Sequence, residues 1–336
     1  MMRLMLELLV TLAIILAAAE LFTNALEHLG ERLKISEGVT GSLFAAVGTA
    51  LPETIVPLLA VLGGGGAQQV NQEIGVGAIL GAPLMLGTLS TFLMALAVWR
   101  SRRPSGRIVP ERTGFNRDLQ YFLAAFVLAT VAMFVPHHQL AIRIGLSVAL
   151  VMVYVVYVVM TFRASASLVD AGHGTEAPEA MFAAKLGLPT NLVTIVLQLL
   201  AAVLLLLLGA EGFIHGVRGV SALWGISPLL LSLLIIPIAT ELPEKINSIV
   251  WIRRGKDTLA FGNITGAMVF QGTLLPAIGI LLTPWEPRVE VLTGVLITIA
   301  AAAWLRVMSR RNGLWVGALA VNGAFYVLYL ALTLHK

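Results

Sequence analysis

No cysteine occurs among the 336 residues. That absence excludes disulfide scaffolds, thiolate metal sites and cysteine nucleophiles. Charge is scarce as well. Only 12 % of the residues are Asp, Glu, Lys or Arg, where a soluble domain carries about 25 %. Half the usual charge, set against 58 % hydrophobic residues, argues against a soluble enzyme and against disorder. No nucleophile–base constellation is visible, and no glycine-rich phosphate cradle follows a strand, so the sequence reads as a non-enzyme without a cofactor. What the chain does have is apolar length. Its mean hydropathy is +0.91, and the apolar residues come in runs such as Leu199–Leu208. Continuous runs, not alternation, exclude an outer-membrane barrel and point to an all-α integral membrane protein.

A bilayer-spanning helix needs about 20 apolar residues. Ten segments meet that requirement, roughly 5–25, 38–62, 74–99, 119–136, 139–162, 191–212, 226–251, 258–282, 289–306 and 313–334. The segments at 119–136 and 139–162 are joined only by Val135-Pro136-His137-His138-Gln139 and predict a tight helical hairpin. Gly63–Gly66 reads as a flexible loop, and residues 163–190 as the hydrophilic connection between two halves. The expected division is a first transmembrane repeat over 1–165, a cytoplasmic linker over 166–190 and a second repeat over 191–336. The first segment resembles a signal peptide, with Arg3 before an apolar stretch and Ala17-Ala18-Ala19 after it. Its recurrence in mid-chain argues against removal.

Basic residues set the expected orientation. Loops 26–37, 100–118, 163–190, 252–257 and 307–312, with their flanks, hold sixteen Lys and Arg. The other face has Arg3, Arg143, Arg218, Arg288 and Lys336. The richer face is expected in the cytoplasm, which places both termini outside a multi-pass cell membrane. In this setting basic charge reads as topology, with the lipid bilayer and not nucleic acid as the partner.

The strongest signal is self-similarity. Glu20-Leu21-Phe22 recurs as Glu211-Gly212-Phe213, Ile35-Ser36 as Ile226-Ser227, and Thr49-Ala50-Leu51-Pro52-Glu53 as Thr240-Glu241-Leu242-Pro243-Glu244, all at an offset of 191. Gly77–Ala82 matches Gly262–Ala267 at an offset of 185. Each half holds five helices, so the second enters the membrane from the opposite side. The expected architecture is therefore ten transmembrane helices as two inverted five-helix repeats, with a site near the midplane at their interface.

Pro52 and Pro243 fall mid-segment. Each is expected to act as a helix breaker that frees the carbonyl four residues back, at Gly48 and Ala239. In hydrocarbon a freed carbonyl needs a partner, and a cation is one. Thr49 and Glu53 share a helix face at i,i+4, as do Thr240 and Glu244. Hydroxyl, carbonyl and carboxylate oxygens from two helices would converge, a hard-ligand set suited to Ca²⁺ or Na⁺. The second half adds Glu241 and Lys245 as an i,i+4 pair on the same face, while Asn247 points about 120° away. Glu53, Glu241, Glu244 and Lys245 together carry a formal −2, which a divalent cation, two sodium ions or two protons would neutralise. Glu20 and Glu211 read as headgroup-facing acids, His137 and His138 as solvated, and Trp99/Arg100 and Trp251/Arg253 as interfacial anchors.

These residues resemble the calcium/cation antiporter superfamily, in its sodium/calcium exchanger-like branch. That family carries a G-T-S-L-P-E-like motif on one helix of each repeat and a G-N-x-x-G-S-N-x-x-N-like motif on the next. Gly48–Glu53 and Ala239–Glu244 match the first; Gly77–Gly81 and Gly262–Gly266 match the backbone of the second. The resemblance implies that Glu53 and Glu244 are the central cation carboxylates and that Thr49 and Thr240 add oxygens. The chain departs from the motif at Ala50 and Glu241, at Ala82-Pro83 and Ala267-Met268, and at the final amide position, which is Leu86 in one half and Gln271 in the other. Calcium exchanged for sodium by alternating access is the leading expectation. A proton-coupled exchanger and a non-transporting protein on a degenerate transporter scaffold remain the alternatives.

Overall fold

The computed structural model describes residues 2–33, 51–62, 68–170, 179–225, 227–310 and 313–334. Among them the chain is helical apart from one two-residue strand pair. The reason is the solvent. With no water to bond backbone groups in a bilayer, the helix is the segment that satisfies every N–H and C=O internally. Six helical runs are long and apolar enough to cross a membrane.

The helices are α1 (Met2–Arg32), α2 (Leu51–Leu62), α3 (Gln68–Met85), α4 (Thr91–Arg102), α5 (Arg112–Ala132), α6 (Leu140–Asp170), the short α7 (Phe182–Lys185), α8 (Leu192–Trp224), α9 (Pro228–Thr240), α10 (Leu242–Arg253), α11 (Asp257–Leu282), α12 (Val289–Ser309) and α13 (Ala320–Leu334). A π-turn, Leu86–Ser90, joins α3 to α4, so the expected 74–99 segment is one run with a wider turn inside it. The expected 226–251 segment is two helices, α9 and α10, broken at Glu241 (φ −88°, ψ 9°). Pro243 therefore lies in the first turn of α10, where its missing N–H is needless, and not in mid-helix. The hairpin between α5 and α6 forms as expected. Helix α6 continues to Asp170, into the segment read as linker. The Gly63–Gly66 loop and linker residues 171–178 lie outside the described residues.

Burial separates centre from periphery. In α11, 83 % of the most apolar window is buried, against 22 % in α6. Helix α3 is buried continuously from Ile74 to Met85. The two helices carrying the Gly77 and Gly262 motifs are thus the core, while α1, α6 and α8 present much of their surface outward.

Small residues let backbones approach where lipid offers no hydrophobic drive. A Cβ on Gly81 would lie 2.5 Å from the Leu233 carbonyl and 2.6 Å from Pro237, and one on Gly77 2.7 Å from the Leu229 carbonyl. Helices α3 and α9 are therefore pressed backbone to backbone. Helices α1 and α8 pair in the same way along Gly209, Gly212, Gly216 and Gly219, which face Ile15, Thr11, Leu8 and Leu4.

The loops sort into two ends. Arg102 forks onto Asp257 with two bonds of 2.7 Å, and Arg107–Ile108 pairs with Leu314–Trp315. Segments around 100–118, 252–257 and 307–315 are thereby tied together. At the opposite end of α11 the buried Arg143 donates to the carbonyls of Ile280 (3.0 Å), Thr283 (2.7 Å) and Pro284 (3.1 Å), capping the helix. Nearby, Arg288 pairs with Glu73 at 2.8 Å.

Candidate cation site

The break between α9 and α10 brings four polar side chains into the core. Thr240, Glu241 and Glu244 are fully buried and Lys245 is nearly so. The sequence explains the break. Pro237 cannot donate to the α9 ladder, and Pro243 cannot donate to the Ala239 carbonyl, so two missing N–H groups flank Glu241. The backbone N–H of Glu241 reaches the Pro237 carbonyl at 3.2 Å.

The Lys245 ammonium bridges the break. It lies 3.2 Å from Glu241 Oε2 and donates to the Pro237 carbonyl at 3.2 Å. The expected i,i+4 pair is present, across a turn and not along an unbroken helix. The ammonium thus neutralises one buried carboxylate and caps α9. Glu244 stands beside this pair, with its backbone carbonyl accepting from Asn263 Nδ2 at 3.3 Å. Asn263 also donates to Ser248 Oγ at 3.1 Å, which ties α11 to α10. The Thr240 hydroxyl donates to the Ile236 carbonyl at 3.0 Å, so its lone pairs stay available to a cation. Gln271, on α11, is fully buried, and neither of its amide atoms has a hydrogen-bond partner among the described residues.

Of the expected site residues, the described geometry gathers Thr240, Glu241, Glu244 and Lys245 at the break and buries Gln271 in the core. Thr49 lies outside the described residues, as do the side chains of Pro52, Glu53, Pro243 and Asn247. Among the described residues no group of three or more His, Asp or Glu side chains is arranged to hold a metal. Glu20 and Glu211 are exposed, in keeping with a headgroup-facing reading.

Asp118 and Asn322 are among the buried polar residues that the sequence reading missed. Asp118 accepts from Thr265 Oγ1 at 2.7 Å and from Tyr157 at 3.1 Å, fastening α5 and α6 to the motif helix α11. It sits at the end of an Arg-rich stretch, and its partners are 39 and 147 residues away, so no spacing announced them. Asn322, on α13, donates to the Gly87 carbonyl of the π-turn at 2.7 Å. It stands in an apolar segment with no repeat counterpart to mark it.

This arrangement of glycine-seamed core helices around buried carboxylates has known relatives. The family model described as "Sodium/calcium exchanger protein" matches residues 4–163 and 194–335. The chain belongs to the sodium/calcium exchanger family. It is 26 % identical to the inner membrane protein YrbG of Escherichia coli over 333 residues, covering 97 % of this chain and 95 % of that one. It is 25 % identical to the putative antiporter CaxA of Alkalimonas amylolytica over 276 residues, covering 82 % and 80 %. Two solved structures share the fold. The H⁺/Ca²⁺ exchanger CAX superposes with a TM-score of 0.77 at 19 % identity, over 98 % of this chain and 86 % of that one. The sodium–calcium exchanger NCX_Mj superposes with a TM-score of 0.65 at 17 % identity, over 98 % of both chains. A family member of this kind is a multi-pass membrane transporter of cations and not a conventional enzyme.

Proposed function

We propose that the chain is a secondary antiporter that moves calcium, or a similar small cation, in exchange for sodium by alternating access. The observation that carries this reading is the buried pair of carboxylates, Glu241 and Glu244, at a helix break inside an apolar core. An ionised carboxylate at mid-bilayer costs about 2.5–3.5 kcal/mol on insertion scales, so it persists where it has work to do. Glu244 and Thr240 hold the cation from the second half; Glu53 and Thr49, at the matching repeat positions, hold it from the first. Gln271 adds an amide oxygen. Full burial of Glu241 and Glu244 suits the occluded stage of the cycle, in which the cargo faces neither solution.

In this reading the ten spans form two inverted repeats, over 1–165 and 191–336, joined by the linker at 166–190. The family match in two blocks supports that division. The two tied loop ends support a common face for segments 100–118, 252–257 and 307–312. That face is cytoplasmic and both termini lie outside the cell membrane.

One observation favours protons as the coupling ion instead. Lys245 stands 3.2 Å from Glu241 Oε2, so the site already holds one positive charge, and Ala50, Ala82 and Leu86 leave the first half with fewer oxygen ligands than the family motif. Flux in proteoliposomes separates the readings. Outward sodium gradients drive calcium uptake in the first, and pH gradients alone drive it in the second. Glu244→Gln and Glu53→Gln each abolish uptake while the protein still elutes as a folded monodisperse species. Uptake that survives both substitutions refutes the site, and no gradient-driven uptake of any cation refutes the function.

A further inference from the structure

The two halves differ at the amide position. At the offset of 185, Gln271 in the second half answers to Leu86 in the first, which has no polar group to offer. The chain does something unusual at that point. Leu86 opens the π-turn, and at its end the backbone N–H of Thr91, which an α-helix would give to the Gly87 carbonyl, goes to the Thr88 carbonyl. Two side chains meet the Gly87 carbonyl. Thr91 Oγ1 donates to it at 3.0 Å from one turn along, and Asn322 Nδ2 donates to it at 2.7 Å from α13.

Asn322 is fully buried, and its amide nitrogen also reaches the Ala301 carbonyl at 3.4 Å. With both donor bonds spent on carbonyls, the amide has one known orientation, and its oxygen points away from them. That oxygen has no hydrogen-bond partner among the described residues. An amide oxygen left dry costs about 1–3 kcal/mol. The π-turn packs against α11, the helix that carries Gln271. A Cβ on Gly87 would meet Met268, which lies one turn before Gln271 on α11.

We infer that Asn322 supplies, from the last helix, the amide oxygen that Leu86 denies to the first half, and so acts as a cation ligand opposite Gln271. The inference rests on the exchanger reading. The nitrogen anchors the side chain to the π-turn, and the oxygen faces the cargo. The π-turn is then the device that makes room for a ligand on a helix outside the two repeated motifs.

The test separates the oxygen from the nitrogen. Calcium binding to the purified full-length chain is measured by titration calorimetry, with calcium-dependent thermal stabilisation as a second readout. Asn322→Leu removes both atoms and lowers calcium affinity about tenfold, the scale of losing one ordered contact to a metal site. Asn322→Asp keeps an oxygen and loses the donor; it binds calcium at least as tightly as the native chain. Thr91→Val removes the other partner of the Gly87 carbonyl and leaves affinity unchanged. Should the leucine variant fail to fold, Asn322→Ser takes its place with the same expected loss. Equal weakening by the aspartate and leucine variants would mean that only the bond to Gly87 matters and would overturn the inference, as would native affinity in the leucine or serine variant. Glu244→Gln is the separate control. Native calcium affinity in that variant sinks the carboxylate site itself, whatever the Asn322 variants do.

Discussion

Lys245→Met removes an ammonium while keeping most of the side-chain volume, so its consequences report charge and not packing. In the native chain the ammonium lies 3.2 Å from Glu241 Oε2, with 6 % and 0 % of the two side chains exposed. At an effective dielectric constant of about 20, two unit charges at that separation attract by about 5 kcal/mol. The bond to the Pro237 carbonyl, from a charged donor, adds about 1.5–3 kcal/mol. Against this stands the cost of burying the ammonium, which the variant recovers. Breaking a buried pair at one partner costs about 3–5 kcal/mol on balance, because the other charge is left behind. Lys245→Met is therefore expected to lose several degrees of thermal stability in detergent and most of its transport. The companion variant, Glu241→Gln with Lys245→Met, removes the orphaned charge and recovers the stability. If Lys245 acts only as a neutraliser, the double variant also recovers native flux, ion stoichiometry and pH profile. If the ammonium stands in for a cation, stability returns but stoichiometry and pH profile stay altered. A single variant as stable as the native chain, or a double variant no more stable than the single, refutes the energetics argued from this pair.

Gly81→Ala forces a Cβ to within 2.5 Å of the Leu233 carbonyl, so α3 and α9 must separate. Overpacking of this kind costs about 1–3 kcal/mol, to be read as a lowered unfolding temperature and reduced flux; unchanged values would show that the seam has slack. A single cysteine at Ser105, in the segment between α4 and α5, is expected to resist membrane-impermeant maleimide in intact cells and to react after permeabilisation. Labelling from outside would reverse the assigned orientation.

The sequence and the structure agree where physics is local. Apolar length marks helices because a bilayer permits little else, and Gly77 and Gly81 were legible as a repeated motif, which the structure explains as a seam where only hydrogen fits. The paired prolines foretold trouble in the 226–251 segment. They did not fix where the chain breaks, since Pro237 and Pro243 both bear on it and the break falls between them, at Glu241. The π-turn left no trace, because Leu86-Gly87-Thr88-Leu89-Ser90 has no periodicity that separates five residues per turn from four. Asp118 and Asn322 were illegible for another reason. Their meaning lies in partners such as Thr265 and Gly87, which are 147 and 235 residues away.

The ammonium of Lys245 has an electrical consequence. Moving one elementary charge across a membrane potential of 100 mV is worth about 2.3 kcal/mol. In an exchanger, any net charge on the site when it is empty is dragged through that field on every return stroke. A lysine tethered to Glu241 travels with the protein and never leaves with the cargo. It makes the empty site less negative by one unit, and that removes up to about 2.3 kcal/mol of voltage dependence per 100 mV from the return step. Such a carrier responds less steeply to membrane voltage than the same site without the lysine, and the steeper response is expected to reappear when the lysine is replaced.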